Sequence, residues 1–287
     1  MDSNPNPVLI GDHGAYKSSK QVSDYLLCEC CEDRFRRRGE NWVLANCYRP
    51  DGTFPLRSVL FSTSPHWNLD GTLVYKTSAI PEVEGAKLIY FAMSVFWRAG
   101  AHYWPWQGEY VNLQLGPYLE PIRLFLLDQG PFPVRMELAA RISGLKKVLE
   151  LTQLPQARNG QGYYLHNFTI PGLAFFLGVG SRLPANSLRI STAPAPEQFV
   201  AFYPKAELEE MMGLADVMQS VPRQQDTKAF RSPMPAEIPS NYGNSIGFPA
   251  LTSVRWGRTH LTTARLVIAS FGAPNLRLFT PSCRCGP

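Results

Sequence analysis

The chain of 287 residues is 45% hydrophobic and 18% charged, with a formal net charge of +5 and six cysteines. That balance excludes a disordered chain, which needs low hydrophobicity and high charge, and six cysteines in such a length exclude a disulfide scaffold. The longest apolar stretches, Leu88 to Trp97 and Leu173 to Val179, fall far short of the roughly 20 residues that span a bilayer, and the opening Met1 to Gly14 lacks the basic patch and apolar stretch of a secretory signal.

A soluble, cytoplasmic protein with no membrane partner is therefore expected. The positive charge is local. Between Ser245 and Pro287 stand Arg255, Arg258, Arg265, Arg277 and Arg284 with no lysine and no acidic residue, and the other 23 basic residues are matched by 23 acidic ones. The main body thus carries no general attraction for a polyanion.

In chain order, Met1 to Lys20 is rich in Asn, Pro, Gly, Ser and Lys and reads as an extended arm. From Cys28 to Tyr48, charged residues are interleaved with Phe35, Trp42, Val43 and Cys47, which predicts helical pieces interrupted at Gly39. Arg49 to Thr53 makes a turn, Phe54 to Phe61 a short helix, and Pro65 to Thr77 a loop or hairpin turning at Asp70-Gly71. The clearest helix comes next. Ser78 caps it, Pro81 fits its first turn, Glu82 and Glu84 suit the positive end of its dipole, and Lys87 to Ala99 continue it. Its residues Leu88 to Phe91, Met93 and Val95 to Trp97 leave almost no polar face, the pattern of a central buried helix. Tyr118 to Gln129 predicts a second, amphipathic helix stopped by Gly130-Pro131.

Past Pro133 the texture changes. Residues Val134 to Leu138 alternate, while Tyr163 to Ile170 and Leu173 to Val179 are aromatic or β-branched runs bounded by Gly and Pro, and these are strand signals. Gln198 to Tyr203 adds a further strand and Lys205 to Gln219 a helix. The expectation is an α+β fold with a helical N-terminal half and a strand-rich second half. The extended arm covers residues 1–20, a single α+β domain with an N-terminal cysteine knuckle covers 21–220, and a Pro-rich linker with a weakly ordered basic tail covers 221–287.

One local pattern has chemical content. Cys28 and Cys31 stand at Cys-x-x-Cys spacing, which lets two thiolates on one turn meet a Zn²⁺ at about 2.3 Å each. A structural zinc takes four ligands, so this pair is half of a site. The candidates for its completion are Cys30, Cys47, His13 and the Cys283/Cys285 pair, with inert thiols and no metal as the competing reading. Arg36-Arg37-Arg38 reads as a solvated helix end against a phosphate contact. Trp97, Arg98, Tyr103, Trp104 and Trp106 read as core and rim against a stacking surface for bases, the one suggestion of a nucleic-acid partner. His102 and His166 read as structural. No phosphate-binding Gly-rich loop and no serine-hydrolase elbow occurs in the sequence, so no reaction is disclosed.

The run Leu26-Leu-Cys28 to Cys31-Glu32, then Phe35, Arg38-Gly-Glu40-Asn-Trp-Val-Leu, Cys47-Tyr-Arg and later Tyr90 to Ala99, resembles a group of bacterial proteins whose longer members are similar to HNH-type zinc-knuckle proteins. In those members an upstream Cys-x-x-Cys and a His-Ile-Ile-Pro-like segment precede the pattern. Neither is present here, where Gly11-Asp-His13-Gly stands instead. The resemblance therefore implies zinc on Cys28 and Cys31, while the family's metal-binding histidine and first knuckle carry over to no residue of this chain. Either the chain begins at an internal methionine, or it descends from a branch that lost the first knuckle. Two functions follow as expectations: a non-catalytic, zinc-knuckle-derived binding protein, or an HNH-like metal-dependent nuclease or nuclease partner lacking its first knuckle.

Overall fold

The computed structural model describes residues 8–11, 14–17, 26–49, 51–69, 71–106, 109–144, 153–159, 162–183, 191–193 and 198–203. Its first elements, β1 (Val8–Gly11) and β2 (Gly14–Lys17), pair antiparallel within the segment read as an extended arm.

The helical region opens with α1 (Glu29–Phe35), passes through a π-helical turn (Arg36–Glu40) and continues as α2 (Asn41–Asn46). The α-helical pieces are interrupted around Gly39 as expected, but by the π-turn and not by a change of chain direction, since the backbone stays right-handed helical at Phe35, Arg36, Glu40 and Asn41. Gly39 serves close approach instead of a turn. It is buried, and a methyl group added to it would stand 2.8 Å from the amide nitrogen of Phe91 in the next long helix.

The short helix α3 (Pro55–Phe61) and the hairpin of β3 (Trp67–Leu69) and β4 (Thr72–Lys76) follow the sequence signals. Leu69 faces Thr72 across the turn, and Gly71 takes the positive φ of +83° that its missing Cβ permits. The long helix α4 (Gly85–Ala101) starts later than its expected cap at Ser78. Thr77–Ala79 is a 3₁₀ turn, the N–H of Ile80 donates to the carbonyl of Thr77 and that of Val83 to Ile80, and Ile80 and Val83 are buried. Burial of these two side chains folds the segment into successive turns before the helix can begin.

Next come β5 (Trp104–Trp106) and β6 (Glu109–Val111), paired antiparallel. Then α5 (Leu119–Leu126) stops short of the expected Gln129 because Asp128 adopts a φ of +59°.

The second half supplies β7 (Met136–Ile142), β8 (Gln153–Asn159), β9 (Tyr164–Ile170), β10 (Leu173–Val179) and β11 (Phe199–Phe202). Of these, β8 carried no recognised sequence signal. The strands form one mixed sheet with β3 and β4, in the order β3-β4-β11-β7-β10-β9-β8. Every pairing is antiparallel except β11 with β7, where Ala201 sits beside Arg141 and Phe202 beside Ile142. Because β11 also pairs with β4, the hairpin from the helical half is an integral part of the sheet. The architecture is α+β.

The helix α4 crosses one face of this sheet. Phe91 meets the rings of Phe168 and Phe175 edge-on at 6.0 and 5.6 Å, Phe96 meets Phe168 at 5.0 Å, and Phe168 stacks on Phe175 at 4.8 Å. These rings belong to a core cluster running from Phe35 and Val43 through α4 to Val200 and Phe202. Burial of that apolar area is the main stabilising term. The central helix expected from the sequence is here, with Phe96 and Met93 fully buried. The segments expected as a helix over Lys205 to Gln219 and as a linker and tail over 221–287 lie outside the described residues.

Candidate functional site

Cys28 is the residue before α1 and has extended backbone (φ −76°, ψ 160°). Its carbonyl accepts from the N–H of Cys31 and from that of Glu32, each at 3.0 Å. Those two bonds close the turn, so both cysteines stand on a single turn at the helix start. Cys31 is buried, Cys28 half-buried and Cys30 exposed. The three thiols thus occupy three different environments within four residues.

The sequence-derived completions divide as follows. Cys47 ends α2 and is buried; its thiol lies 3.5 Å from the carbonyl of Leu44 and 3.6 Å from that of Tyr48, and burial pushes its pKa up. It stands as a buried packing thiol within the core cluster. His13, Cys283 and Cys285 lie outside the described residues. Among the described residues no three His, Cys, Asp or Glu side chains gather closely enough to hold a metal ion.

Beside the cysteine pair lies a charged cluster that the sequence did not disclose. Arg98 of α4 pairs with Glu40, both mostly buried at 12% and 19% side-chain exposure, and its guanidinium lies 5.6 Å from the centre of the Phe35 ring. Glu32, in the first turn of α1, is held above the usual carboxylate range by burial and by the Glu40 charge, with Arg98 pulling the other way. The pair joins residues 58 apart in sequence, so no local pattern announces it.

A second cluster fixes α1 and the π-turn to α5. Asp128 pairs with Arg38 and lies 3.9 Å from Arg34, which also donates to the carbonyl of Leu127 at 3.1 Å. Arg38 lies over the ring of Tyr90, whose hydroxyl donates to the carbonyl of Leu126 at 2.8 Å. Burial, the largest influence, raises the Tyr90 pKa and keeps the phenol protonated.

These contacts account for the arginine run. Arg36 and Arg37 both reach Asp33, at 2.6 and 2.5 Å, and Arg38 is engaged by Asp128. The aromatics are similarly occupied. Trp97 packs edge-on against Phe35 at 6.2 Å, Trp104 donates its indole N–H to the carbonyl of Arg98 at 3.1 Å and meets His102 edge-on at 5.0 Å, and Tyr103 is exposed. Only the backbone of Trp106 is described, in β5. His166 is fully buried in β9 against Phe96.

The segments that carry the resemblance therefore meet in space. Phe35 touches Tyr90 and Trp97, and Glu40 pairs with Arg98. Comparison with family models, with curated proteins and with solved structures finds no match for this chain.

Proposed function

We propose that the chain is a non-catalytic binding protein derived from a zinc-knuckle family, in which Cys28 and Cys31 hold zinc from one side. The observation that carries this reading is the turn itself: two backbone bonds to the carbonyl of Cys28 set both thiols at the start of the same helix. That arrangement places the two cysteines on one helical turn, the spacing at which a pair of thiolates meets one zinc. The donor set fits zinc as half of a tetrahedron. The remaining donors then come from residues such as His13, Cys283 or Cys285, or from a partner.

The role of the metal in this reading is structural, tying α1 to whatever supplies the other ligands. Two features favour binding over phosphodiester cleavage. The arginines that would meet a phosphate are already paired with Asp33 and Asp128, and two of the carboxylates around them are committed elsewhere, Glu40 to Arg98 and Asp33 to Arg36 and Arg37. A nuclease needs an available general base and an open metal position.

The test is metal analysis of the purified chain beside a Cys28→Ser/Cys31→Ser variant. The expected result is close to one zinc per chain in the first and loss of it in the second. Zinc well below one equivalent in both removes the metal from the account and leaves a packed α+β body without a knuckle.

A further inference from the structure

His166 stands apart from every other polar side chain in the core. It lies in the middle of β9, between Leu177 of β10 and Ala157 of β8, and is 0% exposed. Among the described residues neither ring nitrogen has a hydrogen-bond partner. A neutral imidazole carries one N–H donor and one acceptor lone pair, so both capacities are lost on burial, and an unsatisfied buried polar group costs about 1–3 kcal/mol. An apolar residue of similar size at this position would avoid that cost.

Its surroundings are aromatic and aliphatic. Phe96 of α4 meets the ring edge-on at 6.3 Å, Tyr164 of the same strand stacks on it at 6.1 Å, and Phe168 follows two residues along. Across the neighbouring strands stand Leu177 and Ala157. Of these, Tyr164 is the one titratable group, and none is charged. Burial alone brings the His166 pKa down, to about 4.

The strand outside β9 is poorly secured. Among the described residues β8 ends the sheet, its pairing with β9 is broken by a register shift between Gln153 and Gln156, and Pro155 within it has no N–H to donate. Leu154 and Tyr164 are both 44% exposed. An edge hairpin of this kind belongs to the low-stability end of a fold.

We propose that His166 is an acid-sensitive latch: protonating its ring releases the β8–β9 hairpin from α4 while the rest of the sheet stays folded. Among the described residues an imidazolium at this position finds no acceptor and no counter-charge, and lifting the edge hairpin is the shortest way to hydrate it. The sign follows from linkage. The open state takes up the proton near the ordinary pKa of 6.5 and the closed state near 4, so the opening equilibrium is flat above 6.5 and rises about tenfold per pH unit below it, until the closed form also titrates.

The experiment is amide hydrogen exchange on the full chain between pH 7 and pH 4.5, corrected for the intrinsic pH dependence of exchange, with His166→Leu and His166→Phe beside the parent. Expected is a rise of about tenfold per pH unit in exchange at β8 and β9 relative to β7 in the parent, and a flat ratio in whichever variant folds. The same rise in the variants, no rise in the parent, or loss of β7 protection together with β9 would overturn the proposal. If neither variant folds, nuclear magnetic resonance titration of the His166 ring in the parent decides. Protonation concurrent with loss of β8 and β9 protection supports the latch, and protonation in an unchanged hairpin overturns it.

Discussion

Gly39 lies directly against the backbone of Phe91: a methyl group at position 39 would stand 2.8 Å from the Phe91 nitrogen and 2.9 Å from its Cα. The π-turn brings this glycine inward and lets the helical run of residues 29–46 meet α4 at close range. Gly39→Ala would gain roughly 1 kcal/mol of helix propensity, yet the clash is with main chain and cannot be relieved by a rotamer change. A net loss of about 1–3 kcal/mol in urea unfolding is expected. Trimming the neighbour, as in Gly39→Ala/Phe91→Leu, should give no rescue.

Asp128 combines a left-handed backbone with an ion pair, and the two can be separated. Its φ of +59° disfavours branched side chains, while its pairs with Arg38 and Arg34 are half-exposed. Asp128→Asn should cost under about 1 kcal/mol, with a salt dependence smaller than that of the parent. Asp128→Val, which loses the pair and strains the backbone, should cost about 2–3 kcal/mol. Equal losses for both would show that the conformation is not what limits this position.

Arg98 and Glu40 are buried enough for each to depend on the other. Arg98→Met leaves the Glu40 carboxylate without its partner and should cost about 2–4 kcal/mol, while adding Glu40→Gln should recover at least half of that loss. Additive losses in the cycle would contradict the coupling.

Glu32 gives a pH dependence of defined sign. Its folded pKa is raised, first by burial and then by Glu40, against Arg98. The unfolded chain therefore loses this proton first as pH rises, and stability contributed by the neutral form is lost between the ordinary carboxylate pKa and the raised one. Glu32→Gln should remove this component, so the difference in stability between variant and parent should move in the variant's favour across that window. A constant difference would show that the carboxyl is solvated in both states.

Much of the sheet was legible because its strands carry their own signals. The runs around Tyr164 to Ile170 and Leu173 to Val179 are bounded by Pro171-Gly172, and Gly172 takes a φ of +82° in the turn between them. The edge strand β8 was not legible, since Gln153-Leu-Pro-Gln-Ala-Arg-Asn is polar, contains proline and has no β-branched residue. Edge strands are dressed this way to avoid further pairing, and that disguise removes the signal. The parallel pairing of β11 with β7 was hidden for a different reason: it joins segments about 60 residues apart, and nothing local encodes it. At the candidate site, the spacing of Cys28 and Cys31 marked their turn. The charges around it, Glu32 with Glu40 and Arg98, and Asp128 with Arg34 and Arg38, came together only through the packing of α1 on α4 and α5.

X-ray absorption at the zinc edge tests the proposed knuckle most directly, because it counts the atoms bound to the metal. On the full chain loaded with one equivalent of zinc, the account predicts at least two sulfur neighbours at about 2.3 Å, both lost in Cys28→Ser/Cys31→Ser. A shell of oxygen and nitrogen alone, or a sulfur shell unchanged by the double substitution, would contradict it.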